Sequence, residues 1–298
     1  MASGNFAFSN PAFQEQRPGL TPPAAPQPGA QTQYATASHQ AVDAAANAQI
    51  EGMYAAPAAS SIETGRMTVE DTVMKTVGLF AILLVTAVVG WIWTMSPVAA
   101  TGQPTMMPWI VGALGGFVLA MVVIFTSRKK IRPALIFAYA AFEGLFVGGI
   151  SAFFEVIWPG IVLQASLATF AVVGVTLALF ASGKVRASKK ANKIFLIAMV
   201  GYLVFSLLNV VLMWTGVTEG TFGLYSQSIA GIPLGLIIGV LVVIMAAYSL
   251  VQDFDMIQTG VRNGAPRELG WMGGFGIMVT VVWLYVEILR MIAILRGD

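Results

Sequence analysis

From Met67 onward the chain alternates between long apolar runs and short polar connections. Seven runs fall at about 72–95, 106–127, 133–156, 160–181, 193–214, 229–252 and 271–296. Each is close to the ~20 residues that an α-helix needs to cross the hydrocarbon of a bilayer. Lipid offers backbone groups no water to bond, so each run is predicted to be helical. The strands of an outer-membrane barrel would be shorter and would alternate in polarity, and no such segments occur. The pattern predicts an all-α integral membrane protein, with a seven-helix transmembrane domain over residues 67–298. Small residues recur as GALGG (112–116) and GLFVGG (144–149), which suits close helix packing in lipid.

Residues 1–66 follow no apolar period. They are rich in Ala, Pro, Gln, Ser and Gly, and read as a disordered tail. The tail has no continuous apolar core before a cleavage site, so it is not a secretory signal peptide. Composition agrees with the pattern: 57% of residues are hydrophobic and 10% charged, with a mean hydropathy of +0.79. Soluble domains carry about 25% charged residues. A net charge of +2 gives no reason to expect a nucleic-acid partner. The absence of cysteine excludes disulfides, thiolate metal sites and cysteine nucleophiles. The one histidine, His39, lies in the tail, so a buried histidine site is excluded as well.

Charge in the connections sets an expected orientation. SRKKIR (127–132) and SGKVRASKKANK (182–193) are strongly basic, whereas SPVAATGQPT (96–105) carries no charge and 215–228 carries only Glu219. Basic loops stay in the cytoplasm. The tail and the loops after spans two, four and six are therefore expected inside a plasma (inner) membrane, with the C-terminus outside.

Ionisable groups inside a membrane are expensive, and function is their default reading. Glu143 lies mid-span in AYAAFEGLFVGG, Asp253 and Asp255 close span six in SLVQDFDMIQTG, and Glu287 lies in WLYVEILRMIAIL. Arg290 follows Glu287 by three positions and shares its helix face. Asp253 and Asp255 are about 200° apart around a helix, so one should point into the bundle and the other away. Other readings stand beside these: interfacial caps for the two aspartates, a structural salt bridge for Glu287 and Arg290, and an interhelical hydrogen bond for Glu143. Glu155 reads as interfacial. No Schiff-base lysine lies in the last span, and neither a GxxxxGK[ST] loop nor HExxH occurs. The chain is therefore expected not to be an enzyme and to need no cofactor.

AYAAFEGLFVGGISAFFE, LVQDFDMIQ and VVWLYVEILRMIAIL, in this order and spacing, resemble the Bax inhibitor-one family, also called the transmembrane Bax inhibitor motif or YccA-like family. The likeness covers about residues 67–298, and the tail and basic loops are most similar to bacterial, actinobacterial-type members. The resemblance implies seven helices with the last largely enclosed by the other six. It implies a pH-dependent calcium leak in which one acid from span six and one from span seven form the sensor, closing the pore on the cytoplasmic side. These would be Asp253, in DFDMI, and Glu287, in LYVE, where the family has Asp. Arg128 at the end of span two, with Lys129 beside it, would latch the span-six acid.

Two close carboxylates in low dielectric share a proton, and their titration belongs to the pair. Oxygen ligands suit calcium, and a site built on Asp253 and Glu287 alone would hold it weakly, as befits a leak. Glu287 lies some 24 Å from the inner end if span seven is counted from Trp271, too deep to meet Asp253. Counting from Ile277 places it near mid-span, with GWMGGFG (270–276) projecting below the membrane or bending, and this second register is the expected one. The leading reading is a pH-sensitive cation leak, with calcium or protons and the lipid bilayer as partners. The alternatives are a proton-coupled carrier of another solute and a non-transporting regulator that binds another membrane protein.

Overall fold

A computed structural model describes residues 65–218 and 222–297. Its long helices are α1 (Val69–Met95), α2 (Met107–Ser127), α3 (Pro133–Ile157), α4 (Ile161–Ala181), α5 (Lys189–Trp214), α6 (Leu234–Arg262) and α7 (Leu269–Gly297). All seven are long and apolar enough to cross a membrane. The chain is thus an all-α multi-pass membrane protein, as the periodicity predicts. The only other described elements are a single turn at Val98–Thr101, a 3₁₀ turn at Gly223–Ser226, and a two-residue hairpin of β1 (Ser228–Ile229) with β2 (Ile232–Pro233).

The helices begin where local chemistry permits. Thr68 caps α1 by accepting from the Asp71 N–H at 3.2 Å, and Ser188 caps α5 by accepting from Ala191 at 3.2 Å. α2 and α3 start on prolines, whose missing N–H costs nothing in a first turn. Glu155 caps across a turn: its carboxylate accepts from the Gly160 and Val162 N–H groups at 2.6 and 3.1 Å, at the start of α4. Its carboxylate therefore has a definite structural task as well as an interfacial position.

α7 is the most enclosed span. Of its most apolar stretch 56% is buried, against 44% for α3 and 11% for α5. It packs against α1, α3, α4 and α6, while α2 packs chiefly on α3 and α5 lies outermost, beside α6. Burial at one end of the bundle centres on Leu79, Tyr139, Ile257, Met272 and Phe275, and at the other on Ile150, Phe154, Ala246, Leu284 and Leu289. The small residues in α2 and α3 work as expected: a Cβ on Gly112 would lie 2.6 Å from the Phe146 Cα, so only glycine admits this approach.

The bend expected as one option for GWMGGFG in span seven is not observed. α7 runs unbroken from Leu269, and most of GWMGGFG is buried in it. The glycines provide a flat surface for α1: a Cβ on Gly273 would lie 3.1 Å from Thr72 Cγ2, and one on Gly274 3.0 Å from Thr76 Oγ1. Glu287 therefore stands eighteen residues, about 27 Å, beyond the start of the helix.

The 263–268 connection between α6 and α7 is clasped by the start of α1. Met67 N–H donates to the Ala265 carbonyl at 2.8 Å, and Arg267 N–H to that of Gly65 at 3.1 Å. Arg267 bonds Asp71 at 2.8 Å, and Lys75 joins Asp71, the Arg267 carbonyl at 2.7 Å and the face of Trp271 at 5.3 Å. The last two residues of the expected tail, Gly65 and Arg66, thus belong to the clasp. The expectation for residues 1–64 lies outside the described residues.

Candidate functional site

The helical turn of α6 presents Asp253 to α7, and none of its surface is exposed. Thr280 of α7 donates its hydroxyl to Asp253 Oδ2 at 2.7 Å, and Ser249, one turn earlier on α6, lies 3.4 Å from the same hydroxyl. All three side chains are at least 95% buried. A polar group in so dry a place must be satisfied from within the protein, and Thr280 does this from the facing helix. Asp255 is only half-buried, as the 200° offset predicts.

Glu287 belongs to a second cluster. Arg290, one turn on, is hydrogen-bonded to Oε1, and Tyr202 of α5 donates to Oε2 at 3.1 Å. The Arg290 guanidinium lies over the Tyr225 ring, 3.8 Å from its centroid. Ser206 and Tyr225 are hydrogen-bonded at 3.1 Å. Glu287 is 3% exposed, so this ion pair is buried and its worth depends on these extra bonds.

The structure does not bring Asp253 and Glu287 together. Glu287 lies seven residues, about 10 Å, beyond Thr280 on α7. On α6 its neighbour is Gly239, where a Cβ would lie 3.4 Å from Oε1; Asp253 is fourteen residues, about 21 Å, further along. The cause is the observed register of α7. The two carboxylates consequently do not converge on one calcium ion. Among the described residues, no three Asp, Glu or His side chains gather in a way that could hold a metal.

Glu143 stands apart from both acids. It faces the α2 glycines, with Oε2 2.9 Å from where a Cβ of Gly116 would lie, and Tyr139 precedes it by one turn on α3. Arg290 is paired with Glu287, not with Glu143. Arg128 is exposed at the C-cap of α2, as is Lys129, whereas Asp253 is wholly buried beside Thr280.

Sequence reasoning missed Thr280, Tyr202 and Tyr225, the partners that decide what each acid can do. Their signal is faint: a lone threonine in VTVVW, and single tyrosines in or near apolar runs. It also missed the Asp71–Lys75–Arg267 clasp, whose members are 196 residues apart at the extreme.

No curated protein and no solved structure matches the chain. A family profile does match, over residues 10–297, and so reaches well into the tail as well as across all seven helices. The chain belongs to the Bax inhibitor 1 like family of membrane proteins.

Proposed function

We propose that the protein is a pH-sensitive cation leak of the plasma (inner) membrane, with calcium as the transported ion and the N-terminus in the cytoplasm. The observation that carries this reading is Asp253: an acid with no exposed surface, held by Thr280 at the interface of α6 with the most enclosed span. A group so placed changes the local field and the α6–α7 contact each time it gains or loses a proton. Asp253 and Glu287 then act at two successive levels along α7, Asp253 as the sensor and Glu287 as a fixed charge balanced by Arg290. Arg128 and Lys129 ring the inner mouth, and Asp255 adds a carboxylate nearer to water.

The test is calcium flux from liposomes that contain only this protein, from about pH 5 to pH 8. Flux that changes with pH and is lost in Asp253→Asn supports the leak. Absence of flux in well-folded, sealed preparations overturns it.

One observation favours a second reading, a non-transporting regulator of another membrane protein. Both oxygens of Glu287 are already bonded within the chain, which suits a structural ion pair as well as a conducting one. A regulator would show no flux in pure liposomes and would lose function when lipid-facing residues are altered.

A further inference from the structure

α5 is the least buried span, yet Tyr202, Ser206 and Asn209 follow one another at intervals of four and three and share a helix face. Opposite them stand Tyr225 and the Glu287–Arg290 pair. Most polar atoms here are accounted for. Glu287 has its two donors, Ser206 has Tyr225, and Asn209 accepts from Leu224 N–H at 2.7 Å while donating to the Phe222 carbonyl at 3.3 Å. One is not: Arg290 Nε is buried with no acceptor.

Arg290 lines a cavity of about 270 Å³ together with Tyr202, Ser206, Asn209 and Tyr225. A buried cationic donor without an acceptor is costly, and a cavity that offers it polar neighbours among Val210, Met213 and Phe222, with room for several waters, is where the missing acceptor would sit. The larger cavity between α1, α3, α4 and α7, about 510 Å³, is a useful contrast. Its walls are chiefly apolar, among them Leu83, Leu84, Val88 and Phe170; of its polar groups, Ser151 and Tyr285 bond each other at 2.6 Å and Thr169 bonds the Ala165 carbonyl at 2.7 Å. Among the described residues, no buried polar side-chain atom lining it lacks a partner.

We infer that the space between α5, the turn at 222–226 and α7 is a hydrated vestibule, open at the Trp214 end of α5, which brings water and small ions to Arg290, the outer member of the Glu287–Arg290 pair. Towards the other end of the bundle, ring contacts of α5 close it: Phe195 meets Tyr248 of α6 with centroids 5.6 Å apart, and Tyr202 meets Trp283 of α7 at 6.3 Å. Arg290 is therefore in contact with one aqueous compartment, and buried Glu287 meets it only through Arg290, whether or not the protein conducts ions.

The chain has no cysteine, so any introduced thiol is unique. Ser206→Cys places a thiol in the vestibule. Leu208→Cys, at nearly the same depth but 54% exposed on the lipid side, is the control. Thr215→Cys and Ser182→Cys, both exposed in connections at opposite ends of the spans, mark the two faces of a sealed vesicle. A membrane-impermeant charged methanethiosulfonate should modify Ser206→Cys from the Thr215 face, at least about ten-fold faster than Leu208→Cys. Only water supports the thiolate that reacts. Modification no faster than at Leu208→Cys, with Thr215→Cys reacting normally, overturns the inference, as does entry from the Ser182 face. If Ser206→Cys fails to fold, Met213→Cys, which lines the same cavity, gives the same readout.

Discussion

Thr280 on α7 donates its hydroxyl to the carboxylate of Asp253 on α6 at 2.7 Å, tying the seventh span to an acid that water does not reach. Thr280→Val keeps the shape and removes the donor. A hydrogen bond to a buried charged group contributes about 1.5–3 kcal/mol, so the variant should lose stability of that order. Thr280→Ser should recover most of the loss. Thermal unfolding in detergent checks both, and an equal loss in the serine variant would assign the effect to the methyl group instead.

Asp253→Asn removes the charge while preserving the shape. It should abolish the pH dependence of calcium flux without unfolding the protein, while Asp255→Asn, half-buried on the other side of the helix, should do much less. Flux profiles of the two variants, side by side, are the measurement. Equal effects would mean that only the summed charge at this end of α6 matters, and an unchanged profile in Asp253→Asn would remove it as the sensor.

Arg290→Met should cost about 3–5 kcal/mol, because it leaves Glu287 charged and buried beside Tyr202 alone. Adding Glu287→Gln should restore much of the loss. A double-mutant cycle in unfolding free energy reads the coupling, and strictly additive losses would refute the pair.

The clasp makes a graded prediction. Lys75, 8% exposed, serves Asp71, the Arg267 carbonyl and Trp271 at once, so Lys75→Met should cost about 1.5–3 kcal/mol. The Arg267 side chain is 37% exposed, so Arg267→Ala should cost under about 1 kcal/mol. Deleting residues 1–60 should leave a folded, monodisperse membrane domain, while deleting 1–68 removes Met67 and the Thr68 cap and should lower the melting temperature. If Arg267→Ala proves as damaging as Lys75→Met, the order of burial is not what governs the clasp.

Membrane architecture is legible in this sequence because lipid imposes one requirement, some twenty apolar residues in a helix, that leaves a strong linear signal. Seven spans are readable in this way, as are the opposite placement of Asp253 and Asp255 and the proximity of Arg290 to Glu287, each being a matter of helical offset within one segment; that Asp253 is the inward one comes from the family resemblance. The relation of Asp253 to Glu287 is not readable, since it depends on the register of two helices packed side by side. That register is set by GWMGGFG, whose glycines look like a flexible break in sequence but form a surface for Thr72 and Thr76 of α1. Contacts such as Asp71 with Arg267 span most of the chain and leave no local trace.

The most buried helix is made after the other six. Ribosomes add about 5–20 residues per second, so the 29 residues of α7 emerge over a few seconds after the α6 acids are already in place. In that interval α1, α3, α4 and α6 flank a groove rather than a core, and Asp253 has not yet met Thr280. Asp71, made near the start, waits 196 residues for Arg267. A message cut short before Leu269 would yield not a slightly smaller protein but an unfilled shell with a carboxylate turned into its opening. The arrival of α7 is what seals it.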